Sequence, residues 1–112
     1  MPNEKIEKSS AAATGPNGIH LYLSQIYLTN LRIVVLNNAS NMVFNGALMK
    51  MDAIFLEKAP PGHNGIIRII SKDGSTFFMT VFLEGTQIED KHEMNSWFNY
   101  VDQFIKNRDF GK

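Results

Sequence analysis

Residues 25–36 constrain the fold more than any other part of this chain. They read Gln-Ile-Tyr-Leu-Thr-Asn-Leu-Arg-Ile-Val-Val-Leu, so two apolar runs flank a short polar break at Thr29-Asn30. Two strand-like runs around such a break are typical of a tight β-hairpin. The segment therefore predicts a pair of antiparallel strands.

Further strands are predicted on both sides of this hairpin. Ile19, Leu21 and Leu23 alternate with polar residues, which is the period of a half-buried strand, and Ser24 ends the run. Asp73-Gly74 favours a type I′ turn between two more strands, because both central residues of that turn have positive φ angles. The remaining strands are predicted over residues 42–44, 51–57, 66–70 and 76–83.

The sequence changes period near its C-terminal end. Six apolar residues recur at intervals of three and four positions, which places them on one face of a helix. They are Met94, Trp97, Phe98, Val101, Phe104 and Ile105. Asp90 and Glu93 have the spacing of a capping box. An amphipathic helix is therefore predicted over residues 91–106.

The length of 112 residues predicts a single domain with one core. Residues 1–17 are mostly charged or small and carry little apolar surface, so we expect a flexible N-terminal arm there. The folded domain is expected over residues 18–107, and residues 108–112 are expected to form a short tail.

Composition excludes several classes of function. The chain has no cysteine, so disulfides, thiolate nucleophiles and cysteine-ligated metal sites are absent. Eleven basic and eleven acidic residues cancel, which argues against nucleic-acid binding by bulk phosphate neutralisation. No apolar run is long enough for a transmembrane helix, and the N-terminus lacks the features of a signal peptide. We expect a cytoplasmic location, with the nucleus as an alternative.

Three blocks in order resemble the GRAM branch of the pleckstrin-homology-like (PH-like) superfamily, and are most similar to the WW domain-binding protein 2 group. They are Ile26-Tyr27-Leu28-Thr29 through Leu36, Asn41-Met42-Val43-Phe44 through Ile54, and Gly65-Ile66-Ile67. The resemblance implies an α+β, mainly β fold. Its form is a bent antiparallel sheet or partly open barrel of six to seven strands, capped by one C-terminal amphipathic helix. A different α+β domain with an open antiparallel sheet would have the same order of elements.

The resemblance implies a non-catalytic intracellular adaptor that binds protein partners, with a link to transcriptional coactivation. The alternative is a peripheral membrane domain that recognises phosphoinositide headgroups. Lipid-binding members of the superfamily gather basic residues near the first hairpins, where this chain has Arg32 and Lys50. These two residues are the candidate lipid- or anion-binding residues, and a pocket that joined them to Arg68 and Lys72 would favour the membrane function.

The residues themselves offer little catalytic chemistry. His92-Glu93-Met94-Asn95-Ser96 has the start of a zinc-protease helix motif, but Ser96 occupies the position of the second histidine ligand. No catalytic residue, metal site or cofactor is predicted, although an enzyme would require only that scattered titratable groups converge in a cleft.

The candidate partner-binding loop contains Pro60, Pro61, Gly62 and His63. Prolines restrict a loop before it binds, so less conformational entropy is lost when a partner docks. Pairing of an exposed strand edge with an extended peptide is a second way for such a domain to bind a protein.

Overall fold

A single antiparallel sheet of seven strands and one C-terminal helix form this protein, as the sequence predicts. The computed structural model describes residues 4–16, 21–59 and 64–110. The elements in chain order are β1 (Ile6–Gly15), β2 (Tyr22–Thr29), β3 (Arg32–Asn37), β4 (Met42–Ala47), a 3₁₀ turn (Leu48–Lys50), β5 (Met51–Glu57), β6 (Ile66–Ser71), β7 (Thr76–Val81) and α1 (Lys91–Phe110).

Strand β1 lies at the centre of the sheet, whose order is β4-β3-β2-β1-β7-β6-β5. Ala12 is opposite Ser24 on one side and opposite Val81 on the other. The prediction of a flexible arm is therefore wrong for residues 6–15. Local composition gave no sign of this strand, because backbone hydrogen bonds to two neighbouring strands stabilise it in place of a large apolar surface.

The hairpin predicted over residues 25–36 is confirmed as the pair β2–β3, and its turn lies at Asn30-Leu31, one residue later than expected. The Thr29 hydroxyl accepts hydrogen bonds from the backbone N–H groups of Leu31 and Arg32, both at 3.0 Å. Ser24 does not end a strand, since β2 continues through it. Residues 19 and 20 of the strand predicted there lie outside the described residues.

The β6–β7 turn differs from the predicted type I′ turn. Gly74 has a φ of 89°, but Asp73 does not have a positive φ. The N–H of Gly74 donates to the carbonyl of Ser71, and the N–H of Ser71 donates to the carbonyl of Ser75, both at 2.9 Å. This is a three-residue loop in which a type I turn is followed by a left-handed residue.

The β3–β4 turn repeats this hydrogen-bond pattern with serine in the place of glycine. Ser40 donates from its N–H to the carbonyl of Asn37, and Asn37 donates to the carbonyl of Asn41, both at 2.9 Å. The left-handed residue is Ser40, with a φ of 61°. The Asn37 side chain compensates in part, because its Oδ1 accepts from the N–H groups of Ala39 and Asn41.

The core lies between one face of the sheet and α1. The most deeply buried large side chains come from five strands, the 3₁₀ turn and the helix. They are Ile26, Leu28, Ile33, Val35, Leu48, Met51, Ile67, Ile69, Met79, Val81, Met94 and Trp97. The predicted apolar helix face is thus confirmed. Asp90 caps the helix, since its Oδ1 accepts from the N–H of Glu93 at 3.0 Å.

The helix is longer than predicted, because it continues to Phe110. Residues 108–110 therefore belong to α1 and not to a tail. Arg108 fixes this end of the helix: its Nη1 donates to the carbonyls of Leu48, Met49 and Met51 at 3.3, 3.1 and 2.8 Å. These three carbonyls form the corner between β4 and β5.

Two neighbouring alanines test the position of β1. Ala12 is 1% exposed, whereas Ala11 is exposed. Ala12→Lys would bury a charge and should lower the free energy of unfolding by about 3 kcal/mol or more. Ala11→Lys should change it by no more than about 0.5 kcal/mol. Urea denaturation measures both; equal, small effects would mean that these residues are not a core strand.

The two similar turns test the cost of a left-handed residue. Gly74→Ser should lower the free energy of unfolding by about 1 kcal/mol, because the turn needs a positive φ and no atom crowds the new side chain. Ser40→Gly should raise it by about 0.5 kcal/mol, since the relief of strain exceeds the entropy cost of glycine. Denaturation curves check both; a stabilising Gly74→Ser would contradict the assignment of these turns.

Candidate functional site

A cavity of about 930 Å³ opens at the end of the sheet where the β1–β2 connection, the β3–β4 turn and the start of β7 meet. We name it the loop-end pocket. The described residues that line it are Thr14, Gly15, Pro16, Leu21, Tyr22, Leu23, Ser24, Asn37, Asn38, Ala39, Val43, Phe44, Ser75, Thr76 and Phe77. None of these residues is charged.

The loop-end pocket is largely apolar. The rings of Phe44 and Phe77 stack with their centroids 4.1 Å apart, and Tyr22 leaves 68% of its surface exposed at the rim. Its most buried hydroxyls already have partners, because Thr14 Oγ1 and Ser24 Oγ lie 2.8 Å apart and share a hydrogen bond. The described part of this surface therefore suits an uncharged, apolar group.

The four cations that the sequence singled out do not form one basic pocket. Arg32 begins β3 and Arg68 lies in β6, and three strands separate β3 from β6 in the sheet. Lys50 and Lys72 are neighbours along the backbone, since the N–H of Lys72 donates to the carbonyl of Lys50 at 2.9 Å. The arrangement that would have favoured headgroup binding is thus not assembled.

Arg32 is held by an acidic residue of its own chain. Its Nε lies 2.9 Å from Glu4 Oε2 and its Nη2 lies 3.3 Å from Glu4 Oε1, so the pair is bidentate. The hydrogen bond from Arg32, followed by one from the Thr29 hydroxyl, lowers the pKa of the Glu4 carboxyl. A phosphate would have to displace Glu4 in order to bind this guanidinium.

The other arginine of the predicted basic pocket is also engaged. Arg68 Nε lies 2.8 Å from Glu57 Oε1, and the guanidinium sits 4.7 Å from the centre of the Phe55 ring. Lys50 stays a predicted anion-binding residue, and so does Arg32. Neither of them lines the loop-end pocket.

The predicted partner-binding loop, Pro60, Pro61, Gly62 and His63, lies outside the described residues. The segment that follows it is well held: Gly65 donates from its N–H to Glu89 Oε1 at 2.9 Å, and Asn64 Oδ1 accepts from the N–H of Glu89 at 3.1 Å. The binding of a partner by the loop Pro60, Pro61, Gly62 and His63 stays a prediction.

Several carboxylates meet in another cavity of the described surface. An acidic hollow of about 600 Å³ contains Glu7, Glu84, Asp90 and Glu93, but Lys8 lies in it as well and pairs with Glu93 at 3.3 Å. No group of three or more potential ligands is arranged for a metal ion within residues 4–16, 21–59 and 64–110. Nor is any described helix both long and apolar enough to cross a membrane.

Sequence reasoning missed the loop-end pocket because its described walls come from five separate segments. One local signal was available. Tyr22, Leu23 and Val43 are large apolar residues at strand ends next to polar turns, and all three remain exposed. Some methionines are exposed as well: Met42 and Met49 are more than half exposed, whereas Met51 and Met79 fill the core.

Comparison with known proteins identifies the fold. No protein-family model matches the chain, and no curated protein matches it. The N-terminal PH domain of human ARAP2 superposes with a TM-score of 0.65 and 18% identity, over 90% of this chain and 80% of that one. The Vps36 N-terminal PH domain gives a TM-score of 0.67 and 12% identity, over 93% and 80%.

A third similar structure is the C-terminal domain of an unknown protein from Leishmania infantum. It gives a TM-score of 0.65 and 18% identity, over 88% of this chain and 84% of that one. At sequence identities this low, a structural superposition establishes the architecture and nothing about function. The chain therefore has a PH-like fold, as the sequence predicts, and its function has to be argued from its own surface.

The Arg32 and Glu4 pair makes a testable prediction about pH. Because the pKa of Glu4 is lowered in the folded protein, its favourable contact is complete above the ordinary glutamate pKa. The contact is lost as pH falls through the lowered value. Arg32→Gln should raise the pKa of Glu4, as measured by an NMR titration of its carboxyl carbon. Lys106→Gln, which breaks the separate pair with Asp102, should leave that pKa unchanged; an unshifted pKa in Arg32→Gln would refute the pairing.

Proposed function

We propose that this protein is a non-catalytic adaptor domain that holds an uncharged, apolar segment of a protein partner in its loop-end pocket. One observation carries the proposal: none of the described residues that line the pocket is charged, while apolar side chains form much of its wall. Burial of apolar surface is the main favourable term in such a contact.

The exposed aromatic at the rim supports a role in recognition. Tyr22 presents a rigid ring with a hydroxyl, and such residues are enriched at binding sites because they bury much area for little lost entropy. Leu23 and Val43 extend the apolar surface around it, with 43% and 55% of their surfaces exposed. Large apolar side chains left in solvent beside a cavity favour a contact surface.

Recognition of phosphoinositide headgroups is the competing function. Its support is the neighbouring pair Lys50 and Lys72, which could share one phosphate. Against it stands the pairing of Arg32 with Glu4 and of Arg68 with Glu57. A headgroup site normally needs several free cations, and its affinity falls as salt rises.

The finer assignments rest on the sequence resemblance. Membership of the GRAM branch, closeness to the WW domain-binding protein 2 group and a cytoplasmic location stay predictions. A part in transcriptional coactivation is an implication of that resemblance, and no feature of the loop-end pocket bears on it.

Peptide selection tests the adaptor proposal. The purified domain should select uncharged, apolar-rich peptides from a random display library. Tyr22→Lys should weaken their binding at least about tenfold, because it places a charge in an apolar contact. Ile88→Lys is the matched control, since Ile88 is 61% exposed but does not line the pocket. Fluorescence anisotropy of the selected peptides measures both variants.

Liposome flotation tests the competing function on the same protein. The adaptor proposal expects equal, weak binding to vesicles with and without phosphoinositides at low and physiological salt. Salt-sensitive, phosphoinositide-dependent binding that Lys50→Gln abolishes would overturn it. So would peptide binding that Tyr22→Lys leaves intact.

A further inference from the structure

The sheet has two open edges, β4 and β5, because its strand order does not close these strands on each other. A strand at an edge leaves every second pair of backbone N–H and C=O groups without a strand partner, and another strand can pair with them. Natural proteins therefore protect their edges with charged side chains, prolines, bulges or covering segments. The two edges of this sheet differ sharply in such protection.

The β5 edge is protected in three ways. The helix α1 packs against β5, and Arg108 donates a hydrogen bond to the carbonyl of Met51 at the start of the strand. Two exposed carboxylates, Asp52 and Glu57, lie on the strand, and Glu57 binds Arg68 of the adjacent strand. An incoming strand would have to bring its side chains beside these charges.

The β4 edge has much less protection. Its sequence, Met-Val-Phe-Asn-Gly-Ala, contains no charged residue and no proline. Among the described residues this strand pairs with β3 alone. Met42 and Val43 leave 53% and 55% of their surfaces exposed, and Asn45 is exposed as well. One bulge is present, but it affects only the Met42 end, and the register is regular from Phe44 to Ala47.

We propose that β4 pairs antiparallel with β4 of a second copy of this chain, about a two-fold axis at Asn45. Residues at equal distances from Asn45 then lie opposite each other and on the same face of the joined sheet, as the two-residue period of a strand requires. Phe44 of one copy meets Gly46 of the other on each side of the axis, within the stretch of β4 whose register is regular. The result is a continuous sheet of fourteen strands, twice the seven of one copy.

Asn45, the residue on the axis, is suited to face a second copy of itself. A two-fold axis places a residue against itself, so that residue must complement itself. Asn45 does so, because its carboxamide both donates and accepts hydrogen bonds. It lies opposite Val34 on the exposed face, away from the core. A lysine or glutamate there would repel its own copy.

Charge also favours self-association. The chain has no net charge, so two copies approach without long-range repulsion. No like-charged pair arises across the junction, since β4 has no charge to contribute. The strand is only six residues long. A junction this short belongs with weak, transient interfaces, and we expect a dissociation constant of roughly 10–100 µM.

Sedimentation velocity of the full chain over a concentration series tests the proposal. The wild type should shift from monomer to dimer within that range. Asn45→Lys and Asn45→Asp should each raise the dissociation constant at least about tenfold, because each places a charge against its own copy. An equimolar mixture of the two variants should dimerise again, since lysine then faces aspartate.

Two controls keep the result interpretable. Met49→Lys is the matched surface variant, because Met49 is 57% exposed and lies in the 3₁₀ turn beyond β4; it should dimerise like the wild type. Hydrogen exchange of the unmodified protein should show protection of residues 42–47 that increases with protein concentration. Tyr22→Lys should also dimerise normally, so the failure of this proposal is distinct from the failure of the adaptor proposal.

Three outcomes would overturn the inference. The first is a monomer at all concentrations up to about 1 mM, well above the expected dissociation constant. The second is a dimer that Asn45→Lys does not weaken, which would place the interface elsewhere. The third is β4 protection that appears only with an added extended peptide, which would assign this edge to a different occupant.

Discussion

The double pairing of β1 is the constraint on which the rest of this structure depends. Strands β2 to β4 form one part of the sheet and β5 to β7 form the other, and β1 joins them by pairing with both β2 and β7. It has few large side chains, so its contribution is backbone hydrogen bonds on two sides and a buried small residue, Ala12. Removal of this strand would leave two sheets with unpaired edges facing each other.

The helix and the corner at residues 48–51 complete the same architecture. Trp97 is fully buried beneath the sheet, and Arg108 hydrogen-bonds three carbonyls of the corner, where consecutive turns leave carbonyl groups without strand partners. One guanidinium thus fixes both the end of α1 and the start of β5. The opposite end of β5 is near the undescribed residues 60–63, and the loop-end pocket opens between the turns that the helix does not reach.

The distribution of charge connects the two functional proposals. Arg32, Arg68 and Lys8 are each bound to a glutamate of the same chain, so these three cations are neutralised internally. Neither the described lining of the loop-end pocket nor the β4 edge carries a charge, and Val43 and Phe44 belong to both. Both proposals therefore rely on apolar contact and backbone pairing, and neither requires an anionic headgroup.

Local patterns were strong enough to predict several elements. The β2–β3 hairpin and strands β5 to β7 were predicted from apolar runs between turn residues, and the apolar face of α1 from its helical period. Local patterns could not identify β1, because its Ser and Ala residues have low strand propensity. Nor could they identify the turn in which Ser40 takes a left-handed conformation. They also could not bring Glu4 to Arg32, since 28 positions separate the two residues.

The sequence by itself determined most of the strands, the C-terminal helix, the single core and the absence of cysteine chemistry, because these follow from length, composition and short-range patterns; the PH-like fold class was an implication of the resemblance. Only the tertiary structure decided which strand lies at the centre, which cations are neutralised and where an uncharged pocket opens. Those features depend on contacts between residues distant in the chain, and the free energy of such contacts is not present in any local segment.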